Sequence, residues 1–234
     1  MRERNVIEMS LFSSPAGDMN RKRPKTGVRL LLNIFVQEFF RIVTLNALFI
    51  ICSIPIITMP AAYAAMTRVN GYYVQELTCN QWKEFFKVFR EEFKRTIPVG
   101  LILLLVPGLL SVAAFQLMTD LWNAFSYVVL TLCLLAIVIL LLVRYYFFPL
   151  ITWTHLSVKE ALRNSFMFAV VRLWPNLLML AVHVVLYCVI VYYFPMSTPY
   201  LALCVFASVN LFSTFLAWSG MEKYVFVDTM EEEE

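Results

Sequence analysis

Leu121–Val143, LWNAFSYVVLTLCLLAIVILLLV, runs for 23 residues without a charged side chain. At about 1.5 Å of rise per residue, a helix of that length crosses the roughly 30 Å hydrocarbon core of a bilayer. There every backbone N–H and C=O must find its partner within the chain, which a helix achieves. Three further uncharged runs, Ile42–Thr67, Thr96–Thr119 and Leu173–Met221, reach the same threshold.

The composition agrees with those runs. Of 234 residues, 61% are hydrophobic and 15% are charged, and the mean hydropathy is +0.73. Soluble domains carry about a quarter charged residues, so a water-soluble globular domain is excluded. The fold class expected is all-α: a polytopic transmembrane helical bundle of about six spans arranged as three hairpins, with two cytoplasmic amphipathic helices.

The count of six rests on prolines and on basic residues. Phe194-Pro195-Met196-Ser197-Thr198-Pro199 divides the longest run, because neither proline can continue a helix across it. Ile42–Thr67 could be one helix or two that meet near Pro55. As one span it would place Lys83, Lys87, Arg90, Lys94 and Arg95 on the side opposite the basic N-terminus, against the positive-inside rule. As a hairpin it returns them to the cytoplasm.

The spans are then expected at about 33–53, 58–74, 97–118, 123–146, 175–194 and 200–220, within one membrane domain over 31–222. A basic cytoplasmic segment (1–30) precedes it and an acidic cytoplasmic tail (223–234) follows. All nineteen Lys and Arg lie on or can reach the cytoplasmic side, and the outer turns near Pro55, Asp120 and Ser197 hold none. Residues 1–30 contain seven basic residues but no compact apolar core ahead of a small-residue cleavage site, so no signal peptide is expected.

The hairpin draws Glu38, Arg41 and Arg68 into helical segments. Glu38 and Arg41, spaced i and i+3, meet on one face, and both arginines can snorkel to the inner interface. Asn46, His183 and Asn210 are the other candidate intramembrane polar residues, each open to two readings: a bond between neighbouring helices or part of a polar path. Arg144 beside Tyr145 and Tyr146 reads as an interface anchor.

On the cytoplasmic side, Trp82, Phe85, Phe86, Phe89 and Phe93 recur at helical spacing with Lys83, Lys87, Arg90 and Lys94 between them. That is a docking or lipid-facing helix in the headgroup layer. A second one starts at Ser157, with Glu160 at the capping-box position, and carries Lys159 and Arg163. Each is followed by a span with proline in its first turn, Pro98 and Pro175.

Leu45-Asn46-Ala47-Leu48-Phe49-Ile50-Ile51-Cys52-Ser53-Ile54-Pro55-Ile56-Ile57-Thr58, followed by Ala61-Ala62-Tyr63, resembles the first hairpin of the YesL-like family (domain of unknown function 624). Glu84–Lys94, Tyr146-Phe147-Phe148-Pro149-Leu150 and Ser157–Phe166 extend the resemblance over about Arg29 to Glu222. Pro60 stands where the family has glycine, and the N-terminal stretch is more charged than usual. The resemblance implies a multi-pass bacterial plasma membrane protein with both termini cytoplasmic. It also implies a carbohydrate uptake, sensing or degradation context and no known activity.

For chemistry, five cysteines at 52, 79, 133, 188 and 204 form no CxxC pair, and the two histidines lie apart at 155 and 183. No HExxH, GxSxG, phosphate-cradling loop or paired-carboxylate motif is present. No catalytic residue, metal site or cofactor is expected. The partners expected are the bilayer and a carbohydrate transport or sensor system, and the basic residues near the first span are accounted for by lipid rather than nucleic acid. A non-enzymatic accessory or scaffold protein leads, ahead of a small transporter or channel subunit and a membrane-embedded enzyme.

Overall fold

A threonine and a proline turn the chain between its first two apolar helices. In the computed structural model, which describes residues 28–119, 124–154, 156–196 and 198–224, helix α2 (Phe39–Cys52) ends before Pro55 and α3 begins at Met59 (Met59–Val74), with one 3-10 turn at Ile56–Thr58 between them. The Thr58 hydroxyl donates to the carbonyls of Cys52 and Pro55, closing the turn. The expectations for residues 1–27, Asp120, Ser197 and the acidic tail fall outside the described residues.

The other described elements are helical too. After α1 (Val28–Gln37) and the hairpin come α4 (Gln81–Thr119), α5 (Ala124–Trp153), α6 (Val158–Val171), α7 (Leu173–Tyr192), a short turn of helix α8 (Thr198–Tyr200), a π-helical turn at Leu201–Val205, and α9 (Phe206–Tyr224). Among the described residues there is no strand.

Among the described residues, four helices are long and apolar enough to cross a membrane: Gln81–Met118, Phe125–Trp153, Leu173–Ile190 and Leu203–Met221. The segment expected as one span over 33–53 is instead broken, α1 and α2 meeting at 75°. The break falls at Glu38, whose φ of −99° and ψ of 14° leave the helical region. Helix α3 has 16 residues, about 24 Å at helical rise, and carries Thr67, Arg68 and Asn70. It is too short and too polar to count as a span by length and composition.

What α3 lacks in length it makes up in burial. Ala61, Ala62, Ala64 and Ala65 are wholly buried, and small residues let neighbouring backbones approach closely. Gly100 of α4 completes that approach, since a Cβ there would sit 2.5 Å from Pro60 Cβ. Helices α4, α5, α9 and α2 all pack on α3. By contrast α7 lies at the edge: 11% of its apolar stretch is buried against 67% for α9.

Two helices overrun the bilayer. The 39 residues of α4 rise about 58 Å, nearly twice the hydrocarbon core. The first amphipathic segment and the span after it are thus one continuous helix, with Pro98 and Pro107 inside it. Helix α5 runs on to Trp153, so Arg144 is not at its end. The Arg144 guanidinium lies 5.8 Å from the Tyr63 ring, and Tyr145 and Tyr146 are buried. These two tyrosines are core residues, not interface anchors.

Candidate functional site

The described part of the molecule concentrates its polar chemistry in two places: a buried network among α2, α3 and α9, and a basic aromatic face at the start of α4.

The buried network is centred on Ala207. The Ala207 N–H, next to the π-helical turn that opens this end of α9, donates to Asn46 Oδ1 at 2.9 Å. Its carbonyl accepts from Asn70 Nδ2 at 3.2 Å. Asn70 also donates to Asn210 Oδ1 at 2.7 Å, and Asn210 Nδ2 donates to Thr67 Oγ1 at 2.8 Å. The Thr67 hydroxyl in turn donates a hydrogen bond to the Tyr63 carbonyl. Asn46, Thr67, Asn70 and Asn210 are each at most 1% exposed. In lipid, where apolar burial gives no drive for one helix to choose another, such bonds contribute about 0.6–2 kcal/mol each and fix which helices pair.

His183 stands apart from this network, its Nδ1 2.6 Å from the Tyr145 hydroxyl. The next residue of α5, Tyr146, donates to Asn176 at 2.7 Å, and Asn176 Nδ2 reaches the Ala169 carbonyl at 3.1 Å. Asn176 of α7 thereby satisfies a terminal carbonyl of α6 across the break at Arg172. Of the three polar residues expected along a path, the hydrogen bonds join Asn46 to Asn210 and give His183 a different partner. Asn70 and Thr67 were not anticipated. Their spacing of three residues on α3, facing Asn210, is the signal that could have found them.

Arg68 ties α3 to α4 and α5. Its Nε lies 3.5 Å from Glu84 Oε1, its Nη1 donates to the Thr152 carbonyl at 2.6 Å, and its guanidinium lies 3.8 Å from the Trp153 ring. Tyr72 donates to the same Glu84 carboxylate. Gly71 makes room for this stack, because a Cβ there would meet Trp153 Nε1 at 2.4 Å. Glu84 on the amphipathic segment supplies the countercharge to Arg68. Glu38 and Arg41 are paired at 3.1 Å.

The residues expected on one docking face of α4 are divided by the structure. Phe85 is fully buried, Phe89 and Phe93 are half-buried, and Trp82 and Phe86 are exposed at 56% and 40%. The buried line is Gln81, Phe85, Val88, Glu92 and Thr96, turned from the aromatic line. Gln81 donates to the Arg41 carbonyl at 3.1 Å and accepts from Tyr73, and Thr96 donates to the Glu92 carbonyl. What remains outside is a shallow depression of about 670 Å³ lined by Trp82, Lys83, Phe86, Lys87, Arg90 and Glu91.

Lys159 and Arg163 are exposed on α6. Among the described residues no three His, Cys, Asp or Glu side chains converge as a metal site. Beside these segments the thiol of Cys79 is pushed up to about 11 by burial, with Glu84 adding to the shift.

No curated protein and no solved structure matches the chain. The family model described as "Protein of unknown function, DUF624" matches residues 42–113. That stretch covers the α2–α3 hairpin, Asn46, Thr67, Arg68, Asn70, Glu84 and the basic face of α4. Over that stretch the chain is similar to the DUF624 family, and its long apolar helices mark it as a membrane protein.

Proposed function

We propose that the chain is a non-enzymatic accessory or scaffold protein of a bacterial plasma membrane. It docks a protein partner on the exposed basic aromatic face at the start of α4. The observation that carries this reading is the division of labour among polar groups. Asn46, Thr67, Asn70 and Asn210 bond from helix to helix, while Trp82 and Phe86 stand exposed among Lys83, Lys87 and Arg90. Exposed aromatic rings beside an arginine, here Trp82 and Phe86 with Arg90, are what partner surfaces favour.

In this reading α2 and α3 enter the membrane with the four long helices, giving six segments. Both termini and the α4 face are cytoplasmic, as the distribution of Lys and Arg favours. The partner would belong to a carbohydrate uptake, sensing or degradation system, the context implied by the family resemblance, and would present an acidic surface to Lys83 and Lys87. The use of Asn46 and Asn210 as helix ties weighs against a transport path through them.

Photo-crosslinkers at Trp82 and Phe86, in cells, should capture one reproducible protein, and the Lys83→Glu/Lys87→Glu variant should abolish the adduct. Capture of lipid alone overturns the proposal. Sidedness is checked by thiols placed at Pro55 and Lys87: the first should label from outside and the second should not.

A further inference from the structure

We propose that the groove between α4, α5 and α6 is a binding site for one anionic glycerophospholipid, its acyl chain in the groove and its phosphate held by Lys159 and Arg163. The site is separate from the α4 docking face and does not depend on it.

The groove has a volume of about 580 Å³, within the range of roughly 300–1,000 Å³ that encloses a small ligand. Its walls are apolar side chains of the two long helices, among them Ile102 and Ile139, closed on one side by Leu162 and Phe166 of α6. These four are 52%, 41%, 37% and 54% exposed, so the groove opens sideways, in the direction from which a lipid of the surrounding bilayer would enter.

Its rim is charged and uncompensated. Lys159 and Arg163 both line the groove and are one helical turn apart, so their cationic ends can converge on a single anion. Among the described residues no carboxylate lies within 4.0 Å of either. The nearest acid in sequence, Glu160, is committed elsewhere, accepting from the Ser157 N–H at 2.8 Å and its hydroxyl at 2.7 Å.

Helix α6 is also held firmly enough to present this rim. Ala161, Ser165 and Ala169 are buried, Phe168 stacks on Tyr146 at 5.4 Å, and both ends are capped. A fixed pair of cations over an apolar slot is complementary to an amphiphile with an anionic head and a hydrocarbon tail. A free anion would leave the slot empty, and a zwitterionic lipid such as phosphatidylcholine would bring its own cation up against Lys159 and Arg163.

The full chain, delipidated in detergent and titrated with phosphatidylglycerol or phosphatidylcholine, should retain one phosphatidylglycerol by native mass spectrometry. Basic residues near a membrane surface each contribute enough that two should give a preference of roughly ten- to thirty-fold. Lys159→Gln/Arg163→Gln should bring that preference close to one, and Ile139→Trp should reduce retention of both lipids. Lys83→Gln/Lys87→Gln, on the other basic face, should leave the preference intact.

Equal retention of the two lipids by the unaltered chain overturns the proposal. So does a preference that survives loss of Lys159 and Arg163, or one that falls equally when the α4 lysines are changed. Displacement of the lipid by glycerol phosphate alone would overturn the role of the groove.

Discussion

The two amphipathic segments, residues 81–96 of α4 and helix α6, are built from the same residue types and are held in opposite ways. The α4 segment is continuous with its span and buries a mixed line of residues: Gln81, Phe85, Val88, Glu92 and Thr96. Helix α6 is broken from α7 at Arg172 and buries mostly small residues, Ala161, Ser165 and Ala169, with Phe168 as its one large anchor. The α4 segment is therefore fixed by what its side chains reach, and α6 by caps and by close approach. Amphipathic periodicity identifies both as helices at an interface. It leaves open which side of the stripe turns inward, which is set by the polar partners waiting there.

The largest break in the comparison should come from phenylalanines. Phe85→Ala removes a fully buried ring and should cost about 3–5 kcal/mol, whereas Phe166→Ala removes a ring that is 54% exposed and should change stability by less than about 0.5 kcal/mol in detergent. Thermal unfolding of the solubilised chain measures both. Similar losses would mean that the two segments are anchored alike.

A smaller effect should follow from Glu84→Gln, which strips the countercharge from Arg68 while leaving its stack on Trp153. Side chains 13% and 17% exposed put the loss near 2 kcal/mol, the scale of a hydrogen bond to a charged group. Arg68→Lys should fare no better, because an ammonium cannot lie flat on the indole and donate to Thr152 at once. Trp fluorescence should shift in both variants, since Trp153 forms one wall of this cluster and packs edge-on to Trp218 at 5.0 Å.

On α6 the corresponding fastening is the cap. The Ser157 hydroxyl accepts from the Glu160 N–H while the Glu160 carboxylate accepts from the Ser157 N–H. Ser157→Ala should cost about 1 kcal/mol and raise hydrogen exchange in the first turn of α6, with the α4 segment unaffected. Exchange that rises equally in both segments would show them to open as one unit.

The capping box was legible because its two residues are three apart and need no tertiary information; so were the turn at Pro55, the break before Pro199 and the helical class of the whole. Asn46 and Asn210 could be picked out as polar residues in apolar runs, but not joined. Their link runs through the backbone of Ala207 and the side chain of Asn70, 137 and 140 residues from its partners. Phe85 was placed on an outward stripe because nothing local reveals that Gln81 and Glu92 point inward. Arg68 had a visible charge but an invisible partner: Glu84 reads as one more solvated acid until α3 and α4 are packed together.

The smallest effect is also the most direct contrast between the segments. Glu92 and Glu160 share an ordinary pKa of 4.5 and are moved in opposite directions. Burial pushes Glu92 up, with Arg95 opposing, while hydrogen bonds from the Ser157 hydroxyl and N–H hold Glu160 down. A raised carboxyl binds its proton more tightly when folded, so the Glu92 contribution falls as pH rises from the unfolded value through the folded one. A depressed carboxyl does the reverse: the Glu160 contribution is complete above the unfolded value and is lost as pH falls through the folded one. Melting temperature followed from pH 3 to 7 should therefore climb more steeply with pH in Glu92→Gln than in the unaltered chain, and less steeply in Glu160→Gln. Slopes that change in the same direction would show that the two carboxylates occupy similar surroundings, and the distinction between a buried segment and a capped one would fail at its most local point.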